Sequence, residues 1–143
     1  MDHNTELLSY IHKNAAMGTR SIPHVLSLPQ SGAMRRALNS QLEEYKNIAR
    51  ASEECAKRRG QDVAEPTAAE RAMSSMMLRI QTLTDHSTSH LAQLMIQGST
   101  MGTVAMTRRL NQYQDKADQD VVALGRRLLK TEEANIQQMK AYL

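Results

Sequence analysis

The residues with the most ligand chemistry in this sequence are histidines and methionines. His86 and His90 stand at i and i+4. On one helix that spacing puts two imidazoles on the same face, where they could share a divalent ion. Met73, Met76 and Met77 cluster just upstream, and Met95, Met101 and Met106 follow downstream. Thioethers are soft donors that suit Cu(I). The other histidines, His3, His12 and His24, are scattered, and no third or fourth ligand stands at a metal-site spacing. Beside the Ser/Thr-rich run at 85–89, His86 and His90 read more simply as exposed turn residues, and Met as an adaptable core filler. We therefore expect no cofactor, and His86 and His90 are the pair to test for metal.

Polar residues form a second group. Thr131, Glu132 and Asn135 interrupt the apolar stripe of one segment, Gln41 and Tyr45 that of another, and Gln97 that of a third. They could line a small-ligand pocket or be the relic of a metal site. A hydrogen-bonded layer that fixes helix register is the preferred reading, because buried polar groups usually satisfy one another. Cys55 is the single cysteine and has no Cys-x-x-Cys partner, so we read it as a structural thiol. No Ser-His-Asp arrangement, phosphate-binding glycine loop or metalloprotease pattern occurs, and no catalytic residue is assigned. Basic groups at Arg35-Arg36, Lys57-Arg58-Arg59, Arg108-Arg109 and Arg126-Arg127 read as solvated faces and helix C-terminal partners.

All these residues lie on segments with helical periodicity. Leu8, Ile11, Ala15, Gly18, Ile22 and Val25 recur at alternating spacings of three and four, predicting a helix over about 5–28 with Asn4 as N-cap. Pro23 should kink or shorten it. Met34, Leu38, Leu42, Tyr45, Ala49, Ser52 and Ala56 predict a second helix over 31–59, closed by Gly60. Further helices are expected over about 90–112 and 119–142, the last carrying Val121, Leu124, Leu128, Ile136 and Met139. Between the two pairs, Pro66 and the capping-box pattern Thr67-Ala68-Ala69-Glu70 open a shorter helix over about 67–83. Short links within each pair predict antiparallel hairpins. A constant offset carries Met17-Gly18-Thr19 onto Met101-Gly102-Thr103, as expected if each half is one hairpin. Gly18, and Gly98 with Gly102 in a Gly-x-x-x-Gly spacing, allow close helix approach, within the bundle or across a dimer seam. Glycine inside a helix costs about 1 kcal/mol against alanine, so a packing reason is expected.

The 143 residues suit one four-helix-bundle domain, 1–143. There is no Trp or Phe and only four Tyr, against ten Met, a composition for helix-on-helix packing rather than sheet. The N-terminal residues lack a basic region and a long apolar run, so no signal peptide or membrane span is expected, and the lone cysteine fits a reducing cytoplasm. A net charge of +3 permits an anionic partner without requiring one. With few aromatics for base stacking, nucleic acid is not an expected partner.

Four stretches resemble the ferritin-like superfamily: Leu7–Gly18 (LLSYIHKNAAMG), Gln41–Tyr45 (QLEEY), Met95–Gly102 (MIQGSTMG) and Leu128–Ile136 (LLKTEEANI). The chain is most similar to small bacterial members with a short helix in the crossover. The resemblance implies an all-α bundle of two antiparallel helical hairpins joined by a long crossover. Active members of that superfamily hold a di-iron centre with one Glu from each of two helices and Glu-x-x-His from each of the others. Here the first helix has no acid between Leu7 and Leu28, and the third none between Ser87 and Leu110. The second offers Gln41-x-x-Glu44 and the fourth Glu132-x-x-Asn135. Roughly two carboxylates and neutral amides cannot compensate two buried cations. The expectation is a non-enzymatic structural or interaction protein without a di-iron centre, self-associating as a homodimer or larger homo-oligomer, and the resemblance allows a stress- or spore-associated role. The alternatives are a bundle that binds copper or one divalent ion, and one that binds anions or nucleic acid.

Overall fold

The computed structural model describes residues 2–72 and 85–143. Helix α1 spans His3–Leu26, α2 Gly32–Arg58, α3 Thr88–Tyr113 and α4 Gln119–Lys140. Each starts where a short polar side chain precedes an apolar stripe. Asp2, not Asn4, caps α1, its carboxylate accepting from the Thr5 amide at 2.8 Å. Asn4 instead pairs with the start of α4 (Oδ1 to the Asp118 amide, 2.7 Å). Ser31 caps α2 at the Met34 amide and Ser87 caps α3 at the His90 amide. Such caps satisfy amides that the first helical turn leaves without partners. Pro23 lies inside α1, and the helix ends a turn later at Leu26. Gly60 follows α2 with φ +68°, the left-handed geometry glycine tolerates best.

The ends of the helices fix the topology. Arg59, past the C-terminus of α2, donates to Asp118 at 3.1 Å and Asp120 at 2.7 Å, at the start of α4. Tyr113, closing α3, donates to Glu6 in the first turn of α1 at 2.7 Å. The α1 and α4 N-termini therefore share one end of the bundle with the α2 and α3 C-termini. Since α2 ends where α3 also ends, the connection between them must travel back along the bundle, about 39 Å for a helix the length of α3. The result is an all-α four-helix bundle of two antiparallel hairpins, α1–α2 and α3–α4, with a long crossover. The crossover starts up the side of α1: the Ala64 amide donates to Ser9 at 2.9 Å. A helical segment opens at 68–72, its Glu70 amide bonded to the Thr67 hydroxyl at 3.1 Å. The rest of the expected crossover helix, including Met73, Met76 and Met77, lies outside the described residues.

The core joins the stripes read for α1, α2 and α4 to Ile48 of α2 and to residues of α3 for which no stripe was read. Leu8, Ile11, Ala15, Ile22 and Val25 of α1 meet Met34, Leu38, Leu42 and Ile48 of α2, with Leu91, Met106 and Leu110 of α3 and Val121, Leu128 and Met139 of α4. At roughly 25 cal/mol per Å² of apolar surface removed from water, this burial drives the assembly of helices that are marginal alone. No described helix is long and apolar enough to cross a membrane.

Candidate functional site: a buried polar layer in the bundle

Midway along the bundle, the apolar core is broken by polar side chains from three helices. Tyr45 of α2, Ser99 of α3 and Glu132 and Asn135 of α4 are all buried. The Asn135 amide donates to the Tyr45 phenol at 3.0 Å. The phenol bonds to the Glu132 carboxyl, and the Ser99 hydroxyl bonds to both. Among the described residues, Glu132 is the one buried carboxyl. Burial pushes its pKa from 4.5 up to about 7, against the opposing pull of its bonds to Tyr45 and Ser99. The Tyr45 phenol is driven above its ordinary value, first by burial and then by the adjacent Glu132 charge.

Two glycines make room for this layer. A Cβ on Gly18 would stand 2.5 Å from Cδ2 of the Tyr45 ring. A Cβ on Gly102 would stand 2.7 Å from Glu132 Oε2. The glycines at equivalent positions of the internal repeat thus do equivalent work: each lets the neighbouring helix of its own hairpin place one large polar side chain in the centre. Gly98 does something different, because a Cβ there meets nothing within 4 Å. The Gly-x-x-x-Gly spacing therefore divides into one inward contact and one open position.

The other residues named from sequence separate from this layer. Gln41 is buried but bonds to Gln138, its amide donating at 2.8 Å, and its own carbonyl has no hydrogen-bond partner. Thr131 is half-buried at the edge of an open depression on α4, and Gln97 is exposed on the outer side of α3. A helical i, i+4 pair of His86 and His90 is not formed, because His86 precedes the N-cap Ser87 and is exposed. Ser99 escaped the sequence reading because serine is neutral at exposed and buried helix positions alike. Its place three residues before Gly102, on the same helix face, was the available signal.

The layer does not fit a pair of cations. It offers one carboxyl, itself biased toward the neutral form, together with a phenol, a hydroxyl and an amide that already bond to one another. What it can do is fix register: each partner has its correct mate only when the helices are aligned as observed. Cys55 is likewise engaged, with Arg59 donating to its sulfur at 2.9 Å, and burial raises its pKa. The basic groups are largely held locally. Arg35 donates to the Leu26 carbonyl at 3.0 Å, Arg109 lies 3.7 Å over the Tyr10 ring and Arg127 bonds to Glu44 at 2.7 Å.

No family model matches the chain, and no curated protein matches it. Among solved structures it is similar to a DUF305 fragment from Deinococcus radiodurans, with a TM-score of 0.74 and 16% identity, covering 99% of this chain and 95% of that one. At that identity the likeness establishes the fold alone.

Proposed function

We propose that the chain is a ferritin-like helical scaffold without enzymatic activity, which acts by pairing with a second copy of itself through the outer face of α3. The observation that carries this reading is the neutrality of α3. From Thr88 to Thr107 it has no Asp, Glu, Lys or Arg. Met101 and Val104 are 72% and 56% exposed on this stretch. A surface helix normally turns a charged face to water, and one that lacks it is suited to burial on both sides.

A second copy fits better than a charged partner, because this face has no charge with which to select one. It is also self-complementary in outline, with the open position at Gly98 one turn from the protruding Met101. In a two-fold antiparallel pair each Met101 seats beside the other copy's Gly98. That arrangement puts the two Arg108-Arg109 groups at opposite ends of the seam, whereas a parallel pair would bring like charges together. The buried polar layer supports the same reading from inside, since its groups satisfy one another and leave function to the surface. The free, buried Cys55 is compatible with work in a reducing cytoplasm.

Oxidative crosslinking tests the seam. A Met101→Cys variant should form a disulfide-linked dimer under mild oxidation, while Glu133→Cys on exposed α4 surface should not. Equal crosslinking of the two variants would remove the case for an α3 interface.

A further inference from the structure

Away from the core, three side chains from three parts of the chain converge. His12 of α1 is 3% exposed, and its Nε2 lies 2.9 Å from Glu53 Oε1 of α2 and 3.5 Å from Glu65 Oε1 of the crossover. The ligand atoms of all three lie within 4.8 Å of one another, with Glu53 half-buried and Glu65 exposed. The crossover is pinned on either side of this point, by the Ala64 amide on Ser9 and by Lys13 facing Glu70 at 3.9 Å.

We propose that His12, Glu53 and Glu65 form a binding site for one divalent transition-metal ion, with zinc as the fitting example, that fastens the crossover to the α1–α2 hairpin. One imidazole and two carboxylates are a donor set zinc accepts, with the exposed side left for water as fourth ligand. Ligands about 2.0–2.1 Å from a tetrahedral ion stand about 3.3 Å apart, between the two observed separations from Nε2. Small side-chain movements of the two glutamates would therefore admit an ion. In its absence a proton on Nε2 bridges toward Glu53, and the metal takes that proton's place. The ion's two positive charges would neutralise both carboxylates, which otherwise face each other beside a buried ring.

The site also has a built-in weakness. His12 Nδ1 is buried with no hydrogen-bond partner, whereas the second nitrogen of a metal-bound imidazole is usually held by an acceptor. The site should accordingly bind exchangeably rather than hold a permanent ion. It is independent of the central polar layer and of the α3 face.

Calorimetric titration of the chelator-stripped full chain with zinc chloride tests the assignment. We expect saturation at one ion per chain, weakened at least tenfold by Glu53→Gln and by Glu65→Gln, both with side chains that reach solvent and are tolerant of change. The double variant His86→Ala/His90→Ala should bind as the wild type does. Zinc should also slow hydrogen exchange of the Ala64 amide in wild type but not in Glu65→Gln. The absence of saturable binding, wild-type affinity in either glutamine variant, or loss of binding in the His86/His90 variant would each overturn the proposal.

Discussion

Glu132 has a definite sign in the stability balance. Its carboxyl titrates at about 7 in the folded chain against an ordinary 4.5. Between those values the folded chain keeps a proton that the unfolded chain releases, so rising pH favours unfolding. The contribution is whole below pH 4.5 and lost as pH rises through 7. At about 1.4 kcal/mol per tenfold change, the full effect is of the order of 3 kcal/mol. Asp2 and Asp120, held below their ordinary range, act at lower pH and do not share this window. Glu132→Gln keeps a neutral hydrogen-bonding group of the same shape. Urea unfolding at pH 5 and pH 8 should show wild type losing roughly 1–3 kcal/mol more than the variant over this interval. The comparison cancels contributions common to the two proteins. Parallel pH profiles would mean that Glu132 is not buried beside Tyr45 as described.

The glycines make a second prediction at this scale. Alanine gains about 1 kcal/mol of helix propensity at either position. At Gly18 the obstacle is the Tyr45 ring, which cannot move without repacking, and Gly18→Ala should destabilise by about 1–3 kcal/mol. At Gly102 the obstacle is the end of the Glu132 side chain, which can swing. Gly102→Ala should therefore cost less and should displace the Glu132 titration. Thermal melts of the two variants should rank Gly18→Ala as the less stable, and the reverse order would contradict this packing. These roles were partly legible in the sequence: the repeat paired Gly18 with Gly102, and the polar residues Tyr45, Glu132 and Asn135 were visible as breaks in apolar stripes. That Gln41 pairs with Gln138 instead, and that Gln97 faces outward, depends on helix rotation by a fraction of a turn. Periodicity alone does not resolve such an angle.

Among the elements, apolar spacing was legible for α1, α2 and α4, while the ends of the helices followed local chemistry. Asp2 and Asn4 are both good capping residues, and tertiary structure chose between them: Asn4 is drawn to Asp118, leaving Asp2 as the cap of α1. The Ser/Thr-rich run at 85–89 reads as a break, but Ser87 caps α3 and Asp85 accepts the Ser87 amide at 2.8 Å. This moves the start of α3 ahead of His90 and leaves His86 outside the helix. Ser87→Ala should cost about 1 kcal/mol, lowering the melting temperature by about 3 °C in a chain of this size. Asp118 precedes α4 without a side-chain cap bond, being occupied by Arg59 and Asn4. Removing it should loosen the bundle end rather than fray α4. The cluster of His12, Glu53 and Glu65 was not legible at all, because Glu65 arrives from a connection with no periodicity to place it.

For the whole molecule, topology follows from which ends meet, and the exposed neutral face of α3 remains unexplained by the bundle alone. With a net charge of +3 and, among the described residues, Met101, Val104 and Leu143 as the exposed large apolar side chains, charge would be expected on every surface helix. On α3 charge is confined to Arg108 and Arg109, which leaves the stretch from Thr88 to Thr107 free of it, and the proposed pairing would account for that asymmetry. Sedimentation equilibrium of the full chain at micromolar concentration tests this most directly. The expected dimer gives a mass twice the 16.0 kDa of one chain. A mass of one chain throughout that concentration range would contradict it.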